Sequence, residues 1–283
     1  MSVKIIADST CDLSKDLLER YDISVLPLHI VLGDKEYKDG LEIDPDEIYQ
    51  WSDENNAAPK TSAASISDAM EIFNKYIKTH DEIICFSISG QMSTTVNVLR
   101  MAAEELEAED KIHIIDSENL STGGGLLVIE AAIMALQGKN AKEITTSIEQ
   151  LKPSVRASFI VDTLTFLHRG GRCSGIAALA GGALKLHPKI VVESGAMKPD
   201  KKYRGKMSSA ILTYAKELEP QLKNAKKDRV FITHSGCNEE IIQSVHKYLE
   251  ELNLFDEILI TRAGGVISSH CGPGTLGVLF IEN

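Results

Sequence analysis

Short apolar runs alternate with segments of helical periodicity along the first 150 residues. Residues 3–7, 83–86 and 112–115 are predicted to be buried strands, because each run is brief, apolar and rich in β-branched side chains. Cap residues and apolar positions three or four apart predict helices between and after these strands, at 15–21, 45–53, 68–79, 94–103, 122–137 and 141–151. Strands that alternate with helices indicate parallel βαβ units.

Polar residues mark where the first helices begin. Ser14, Asp44 and Ser67 are predicted to be N-caps, and Asp44 is followed by a proline at the first helical position. Residues 23–32 are predicted to be extended, whereas residues 55–67 are predicted to form a loop. The N-terminal part therefore contains all the elements of an α/β domain.

The pattern changes beyond Pro153, where we place the boundary between an N-terminal domain (1–153) and a smaller C-terminal domain (154–283). Elements predicted in the second part are strands at 157–161, 188–193, 229–234, 257–262 and 278–281 and helices at 176–186, 207–224 and 238–252. The helix at 176–186 is nearly uncharged and has two glycines in its middle. Such glycines favour either tight helix packing or the wall of an apolar cavity.

Hydroxyl side chains are concentrated where predicted strands end. Ser9 and Thr10 follow the first strand, residues 87–95 follow the second, and Ser117 follows the third. The carboxyl ends of parallel strands meet at one edge of a sheet, so these groups are predicted to share one polar mouth. Helix N-termini there add unpaired N–H groups that suit a carboxylate or phosphate. The alternative is that the hydroxyls are ordinary helix caps.

The composition is that of a soluble protein, with 43% hydrophobic and 25% charged residues in 283. The net charge of −11 disfavours nucleic acid as a partner. A basic turn at 198–206 is either a hairpin tip or a surface for a partner or a transient membrane contact. The five scattered cysteines indicate reduced thiols, and no signal peptide or membrane span is apparent, so a cytoplasmic location is expected.

Motifs of known chemistry give little support to catalysis. Gly272, Gly274 and Gly277 match a dinucleotide fingerprint in spacing, but they lead into a predicted strand instead of opening a helix. His270 and Cys271 could be a metal-binding or nucleophilic pair, yet no second ligand cluster accompanies them. His270 is interpreted either as a structural histidine or as an N–H donor to an anionic head group.

Two further groups have open interpretations. Arg169 and Arg172 flank a Gly-Gly turn, where a guanidinium could face an anion or simply be solvated. Thr61 and Ser62 are either loop hydroxyls or part of an anion site.

Six stretches taken in order resemble the DegV family of bacterial fatty-acid-binding proteins, and the resemblance covers the whole chain. The matching stretches are Asp8-Ser9-Thr10 with Asp12-Leu13, Thr61-Ser62 with Ser65, ISGQMSTT, Asp116-Ser117, DTLTFLHRGGRCS and HCGPGTLGV. The resemblance implies two α/β domains, the first with a parallel sheet and the second with a mixed sheet, and a long-chain fatty acid held between them.

The resemblance also implies roles for particular residues. Ser62 and Ser93 are expected to hydrogen-bond the carboxylate, Thr61 and His270 to complete the network, and Thr94 to lie in the same group. Family carriers present the bound acid to a separate fatty acid kinase for phospholipid synthesis. By this resemblance Arg172 and Arg204 support kinase docking or phosphoryl transfer, and the chain itself needs no cofactor and performs no catalysis.

Several positions depart from the family pattern. Thr94 replaces the usual Gly, Ala63-Ala64 replace Gln-Pro, and Cys173 replaces Ile. These departures leave the choice of acyl chain and the coupling to a kinase open. The rival hypothesis is an enzyme that acts on a small anionic or carbonyl substrate with His270 as its base or covalent anchor; it rests on an analogy of fold with dihydroxyacetone kinase domains.

Overall fold

The computed structural model describes residues 2–173 and 186–283, with the side chain of Arg169 excepted. The strands are β1 Val3–Asp8, β2 Ile23–Leu26, β3 His29–Leu32, β4 Lys35–Lys38, β5 Lys60–Ser62, β6 Glu82–Ser87, β7 Ile112–Asp116, β8 Val155–Ile160, β9 Leu186–Glu193, β10 Ala196–Arg204, β11 Arg229–His234, β12 Glu257–Arg262 and β13 Leu276–Ile281. The α-helices are α1 Lys15–Arg20, α2 Pro45–Asn55, α3 Ile66–Ile77, α4 Thr95–Glu105, α5 Ser121–Leu136, α6 Ala141–Leu151, α7 Thr165–Gly170, α8 Met207–Glu217, α9 Glu219–Leu222, α10 Glu239–Leu252 and α11 Gly265–Cys271. The predicted helix at 176–186 lies almost wholly outside the described residues.

The N-terminal part contains a parallel sheet in the order β2-β1-β6-β7. Its strands are buried on both faces, which explains why they appear in the sequence as continuous apolar runs. Ile5 and Ile84 face a layer that includes α5 and α6, whereas Ile6 and Ile83 face α3 and α4. The predicted α/β class and the parallel sheet are confirmed.

The second large sheet is mixed, in the order β10-β9-β8-β13-β11-β12. Strands β11 and β12 pair in parallel, and the other neighbours pair antiparallel. A third sheet, β4-β3-β5, belongs to the N-terminal part, and Ile30 of β3 shares an apolar cluster with Ile6 of β1. The prediction of a loop over 55–67 is therefore wrong at β5, which pairs with β3 and holds Thr61 and Ser62 in the register His29↔Ser62 and Ile30↔Thr61.

The basic segment 198–206, which was predicted to be a turn, is mostly strand. Residues 198–204 lie in edge strand β10, and the chain reverses earlier, at Ser194 and Gly195, so the hairpin-tip interpretation is wrong. Two of its lysines pair with carboxylates, Lys198 with Glu193 and Lys201 with Glu217. An edge strand rich in lysine resists pairing with other chains.

Helix starts follow local cap chemistry. Asp44 forms a capping box with Glu47, as its sequence predicts. The cap of α3 is Ser65, which pairs with Asp68, and not Ser67 as predicted. The predicted helix at 207–224 is divided into α8 and α9 by a break at Leu218. Helix α11 is absent from the predictions, and it carries His270.

The two large sheets share buried contacts. Thr122 at the start of α5 bonds Thr233 of β11 through their hydroxyls at 2.6 Å. One apolar cluster contains both Ile5 of β1 and Phe231 of β11. The boundary between 1–153 and 154–283 stays a prediction. Within the residues described, none of the helices combines the length and hydropathy that crossing a membrane requires.

Candidate functional site

A cavity of about 480 Å³ lies where α11, β5 and the turn between β6 and α4 come together. Its polar lining includes five residues singled out from the sequence, Thr61, Ser62, Ser93, Thr94 and His270, together with Arg172. Much of the remaining wall is apolar: Leu28, Ile88, Met92, Leu120, Met197, Val266 and Ile267. A polar group set into an apolar hollow is typical of sites for small amphipathic molecules.

Thr61 and His270 form the central contact of this polar group. Thr61 Oγ1 lies 2.8 Å from His270 Nε2, although the two residues are 209 positions apart. Thr61 is held by the pairing of β5 with β3, and His270 occupies the last turn of α11. Helix α7 approaches the imidazole so closely that a Cβ at Gly170 would overlap it. Only glycine allows this packing.

The imidazole is neutral at neutral pH. Burial, together with a smaller effect of the nearby positive charge of Arg172, lowers the pKa of His270 to about 4. Among the described residues, Nδ1 has no hydrogen-bond partner. If the single N–H is on Nε2, it donates to Thr61 Oγ1, which leaves the threonine proton free to donate into the cavity. The pair can then act as one oriented donor toward an anion.

We expect this buried histidine to make the protein less stable in acid. Because the pKa is below the ordinary value of 6.5, the unfolded chain binds a proton more readily, and stability is lost as pH falls from about 6.5 to about 4. A contribution of about 2 kcal/mol is expected, after allowance for partial solvent exposure. Urea unfolding of the wild type and of His270→Gln across this range measures it.

The difference between these two proteins isolates the histidine. Buried Asp12, whose pKa burial raises to about 8, acts in the opposite direction but is common to both. Parallel pH profiles for wild type and His270→Gln would contradict the prediction.

Ser93 and Thr94 lie at the start of α4. Ser93 Oγ is 2.8 Å from Thr95 Oγ1 and accepts from the backbone N–H of Thr95 at 3.3 Å. Thr94 is the N-cap position of α4, but its side chain makes no cap hydrogen bond and is exposed. The helix N-terminus adds a partial positive charge near these hydroxyls.

Ser62 is placed differently from Thr61. Its side chain is exposed and donates to Glu36 Oε1 at 3.2 Å. The hydroxyl lines the cavity edge, but its proton is directed toward a carboxylate of the protein itself.

Of the two arginines to which the resemblance assigns kinase docking or phosphoryl transfer, one lines the cavity and the other does not. Arg172 lines the cavity, is exposed, and donates through Nη1 to the Gly170 carbonyl at 2.6 Å. Within residues 2–173 and 186–283, no carboxylate lies within ion-pair distance of its guanidinium. Arg204 ends β10, is exposed, and does not line this cavity. The side chain of Arg169 lies outside the described residues.

The prediction of one shared polar mouth is wrong for three hydroxyls. Ser9 donates to Asp39 at 2.8 Å, Thr10 donates to Asp8, and Ser117 donates to the Asn119 carbonyl at 3.2 Å. None of the three lines the large cavity. These groups satisfy the buried ends of the strands. The apolar wall of the cavity has no signal in the sequence, because its residues come from many elements and share no motif.

Cys271 is a poor candidate for a nucleophile. Burial raises the pKa of its thiol to about 12, so the thiolate is scarce at neutral pH. In the part of the chain that the structure describes, no group of three or more His, Cys, Asp or Glu side chains is arranged to hold a metal ion.

Comparison with known proteins gives a consistent result. A family model described as uncharacterised protein, DegV family, matches residues 2–283. A DegV domain-containing protein of Caldanaerobacter subterraneus subsp. tengcongensis is 31% identical over 282 residues, with 99% of each chain covered. Another, of Clostridium perfringens, is 34% identical and covers 98% of this chain and 96% of its own.

Solved structures agree with these relatives. A DegV family protein from Thermus thermophilus, described as binding fatty acid, superposes with a TM-score of 0.92 at 30% identity and full coverage of both chains. A stearic-acid-binding protein of Eubacterium ventriosum superposes with a TM-score of 0.85 at 28% identity, over 99% of this chain and 98% of that one. The fold expected from the resemblance is therefore confirmed.

Proposed function

We propose, starting from the fact that the chain belongs to the DegV family, that it binds one long-chain fatty acid in the cavity beside α11. One observation carries the proposal: Thr61, Ser93 and His270, from three distant parts of the sequence, line a single cavity whose remaining wall is largely apolar. The fatty acids bound by proteins of the same fold support the choice of ligand.

The carboxylate would be held by hydroxyl donors. Thr61, oriented by His270, and Ser93, at the start of α4, present their hydroxyls to the cavity from opposite elements. Arg172 adds a positive charge that has no ion-pair partner among the described residues. Ser62 and Thr94 form the rim of the same group. A neutral histidine suits this role, because it donates without requiring a buried counter-charge.

The acyl tail would supply most of the affinity. A tail of ~14 methylenes contributes about 11 kcal/mol gross, at ~0.8 kcal/mol each, before the costs of association. A hydrogen bond to a charged head contributes only about 1.5–3 kcal/mol. The apolar wall would therefore set the strength of binding, and the hydroxyls would set the preference for a carboxylate.

Beyond binding the fatty acid, the protein would act as a carrier, without catalysis or a cofactor of its own. A thiol of high pKa and a histidine of low pKa, each buried, are poorly suited to nucleophilic or base chemistry. Exposed Arg172 at the cavity lies where a fatty acid kinase could meet the bound carboxylate. Arg204 and the basic segment 198–206 on β10 would assist docking or a transient membrane contact.

Delipidation followed by mass spectrometry tests the ligand. Protein purified from cells should release a long-chain fatty acid in a ratio near one per chain, and stripped protein should take up palmitate or oleate. Protein that arrives empty and takes up neither acid would refute the proposal.

Ser93→Ala is expected to weaken fatty-acid binding without abolishing it. The change removes one hydrogen bond to a charged group, worth about 1.5–3 kcal/mol, which corresponds to a loss of roughly 10- to 100-fold in affinity. The tail contacts remain. Titration of stripped protein with a fluorescent fatty acid measures the loss.

A matched control is Ser147→Ala, since Ser147 is half-buried on α6, does not line the cavity, and donates within its own helix to the Glu143 carbonyl at 2.9 Å. Equal affinities for Ser93→Ala and Ser147→Ala would contradict the placement of the head group.

A further inference from the structure

A second, smaller void lies behind the inner wall of the large cavity. It has a volume of about 30 Å³, and its lining includes Phe159, Ala263 and Leu279, which do not line the large cavity. Three residues, Leu120, Ile267 and Cys271, line both the void and the large cavity. They are almost completely buried, with exposed fractions of 4%, 7% and 3%. A partition of three side chains therefore separates the two spaces.

The hydroxyls around the void are already satisfied by the protein. Thr233 bonds Thr122 and Thr261, and Thr275 donates to the Cys271 carbonyl at 3.0 Å. Ser235 donates to the carbonyl of Gly272. Ser121, which also lines the void, donates to Asp12, and His234 Nδ1 accepts from the backbone N–H groups of Gly236 and Cys237. The protein itself completes these bonds, and a void whose polar groups are satisfied in this way stays dry. Its natural occupant is hydrocarbon.

We propose, on the basis of the fatty-acid-binding function proposed above, that Leu120, Ile267 and Cys271 limit how much acyl chain the site accepts. Among the described residues, these three are the ones that line both the large cavity and the void behind it. An acid that fits in front of it gains affinity with each methylene, about fourfold per group. A longer acid must leave the excess in water or displace the partition, and it gains nothing.

Ile267 is the side chain at which the limit can be changed. It belongs to α11, whose start is held by hydrogen bonds from the Gly264 and Gly265 N–H groups to Asp12 and Asp39. Ile267→Ala removes three carbon atoms and joins the void to the cavity. The site should then accept two to four more carbons of acyl chain, as judged from ~0.8 kcal/mol per buried methylene.

Competition titrations with saturated acids of 14 to 20 carbons, on stripped protein, test this inference. Ile267→Ala should raise the affinity for the 20-carbon acid relative to the 16-carbon acid by at least about tenfold over wild type. Cys271→Ala removes a single sulfur from the same partition and should shift the preference in the same direction by a smaller amount. It serves as the second variant if Ile267→Ala folds poorly.

Ala263→Val provides the matched control, because Ala263 lines the void but not the cavity. By itself it should leave the preference unchanged, and in combination with Ile267→Ala it should return the preference toward that of wild type. An unchanged preference in both partition variants overturns this inference while leaving the fatty-acid function intact. Failure of the wild type to bind any acid overturns the function and this inference together.

Discussion

Ala63→Trp is expected to reduce fatty-acid affinity by at least about 100-fold. Ala63 is half-buried and lines the cavity directly after β5, so its side chain can grow into the space proposed for the acyl tail. An indole that displaces even four methylenes removes about 3 kcal/mol of burial, at ~0.8 kcal/mol each. Mass spectrometry of the purified variant should find it nearly empty, and titration of stripped protein should give the loss in affinity.

The control is Ala58→Trp. Ala58 has similar exposure, precedes the same strand, and does not line the cavity, so the variant should keep its lipid. Comparable thermal stability of the two variants would show that the loss is local.

A second large cavity is the alternative place where a fatty acid could bind, and the Ala63→Trp variant distinguishes between the two cavities. A cavity of about 490 Å³ lies on another face and is lined by charged groups that include Glu118, Lys152 and Arg156. These cations already have partners: Lys152 pairs with Glu118, and Arg156 pairs with Glu282. Retention of fatty acid by Ala63→Trp would contradict the proposed site and would direct attention to this other cavity.

Elements of the fold that are determined by neighbouring residues could be predicted from the sequence. Strands β1 and β6 were predictable, because burial on both faces requires an uninterrupted apolar run. The capping box of Asp44 with Glu47 is also written in adjacent positions. The same rule, applied to Ser65 and Asp68, would have identified the correct cap of α3.

Helix α11 illustrates what local sequence cannot provide. Its residues, GVISSHC, have low helical propensity, and its first N–H groups are satisfied by carboxylates of remote parts of the chain. Likewise, β10 was mistaken for a turn because lysines dominate it, although an exposed edge strand tolerates them. Tertiary contacts determine both elements.

In the candidate site, too, some residues could be predicted from the sequence and others could not. Hydroxyls at strand ends were found from the sequence, but the sequence did not distinguish Ser93, which faces the cavity, from Ser9, which bonds Asp39. Membership of the family separated them by position and supplied Thr61 and His270 as partners. The apolar wall had no signal of its own, since its members are spread from Leu28 to Ile267.

Asp39→Ala is expected to lower the free energy of unfolding by about 4 kcal/mol. Asp39 is 3% exposed. Its Oδ1 accepts from the Gly265 N–H at 2.7 Å, and its Oδ2 accepts from Ser9 Oγ at 2.8 Å and from the Val266 N–H at 3.4 Å. Each buried donor left without a partner costs about 1–3 kcal/mol. Urea unfolding of stripped protein measures the change without a contribution from ligand.

Asp39→Asn separates the hydrogen bonds from the charge. Burial raises the pKa of Asp39, so the protein bears a cost for holding this carboxylate in its interior. The amide keeps an oxygen for Gly265 and offers a donor to Ser9, but it loses the long 3.4 Å bond from the Val266 N–H. Because the cost of the buried charge is removed at the same time, the net loss should be about 1 kcal/mol, well below that of Asp39→Ala. Asp34→Ala, in an exposed turn, should have almost no effect.

The consequence extends to the binding site, because Asp39 fixes the first turn of the helix that carries His270 and Ile267. Asp39→Ala should therefore also weaken fatty-acid binding in protein that is still folded, whereas Asp39→Asn should bind nearly as wild type does. A loss of stability below about 1 kcal/mol for Asp39→Ala, or equal binding by the two variants, would contradict the view that a buried carboxylate on the N-terminal side holds the site together.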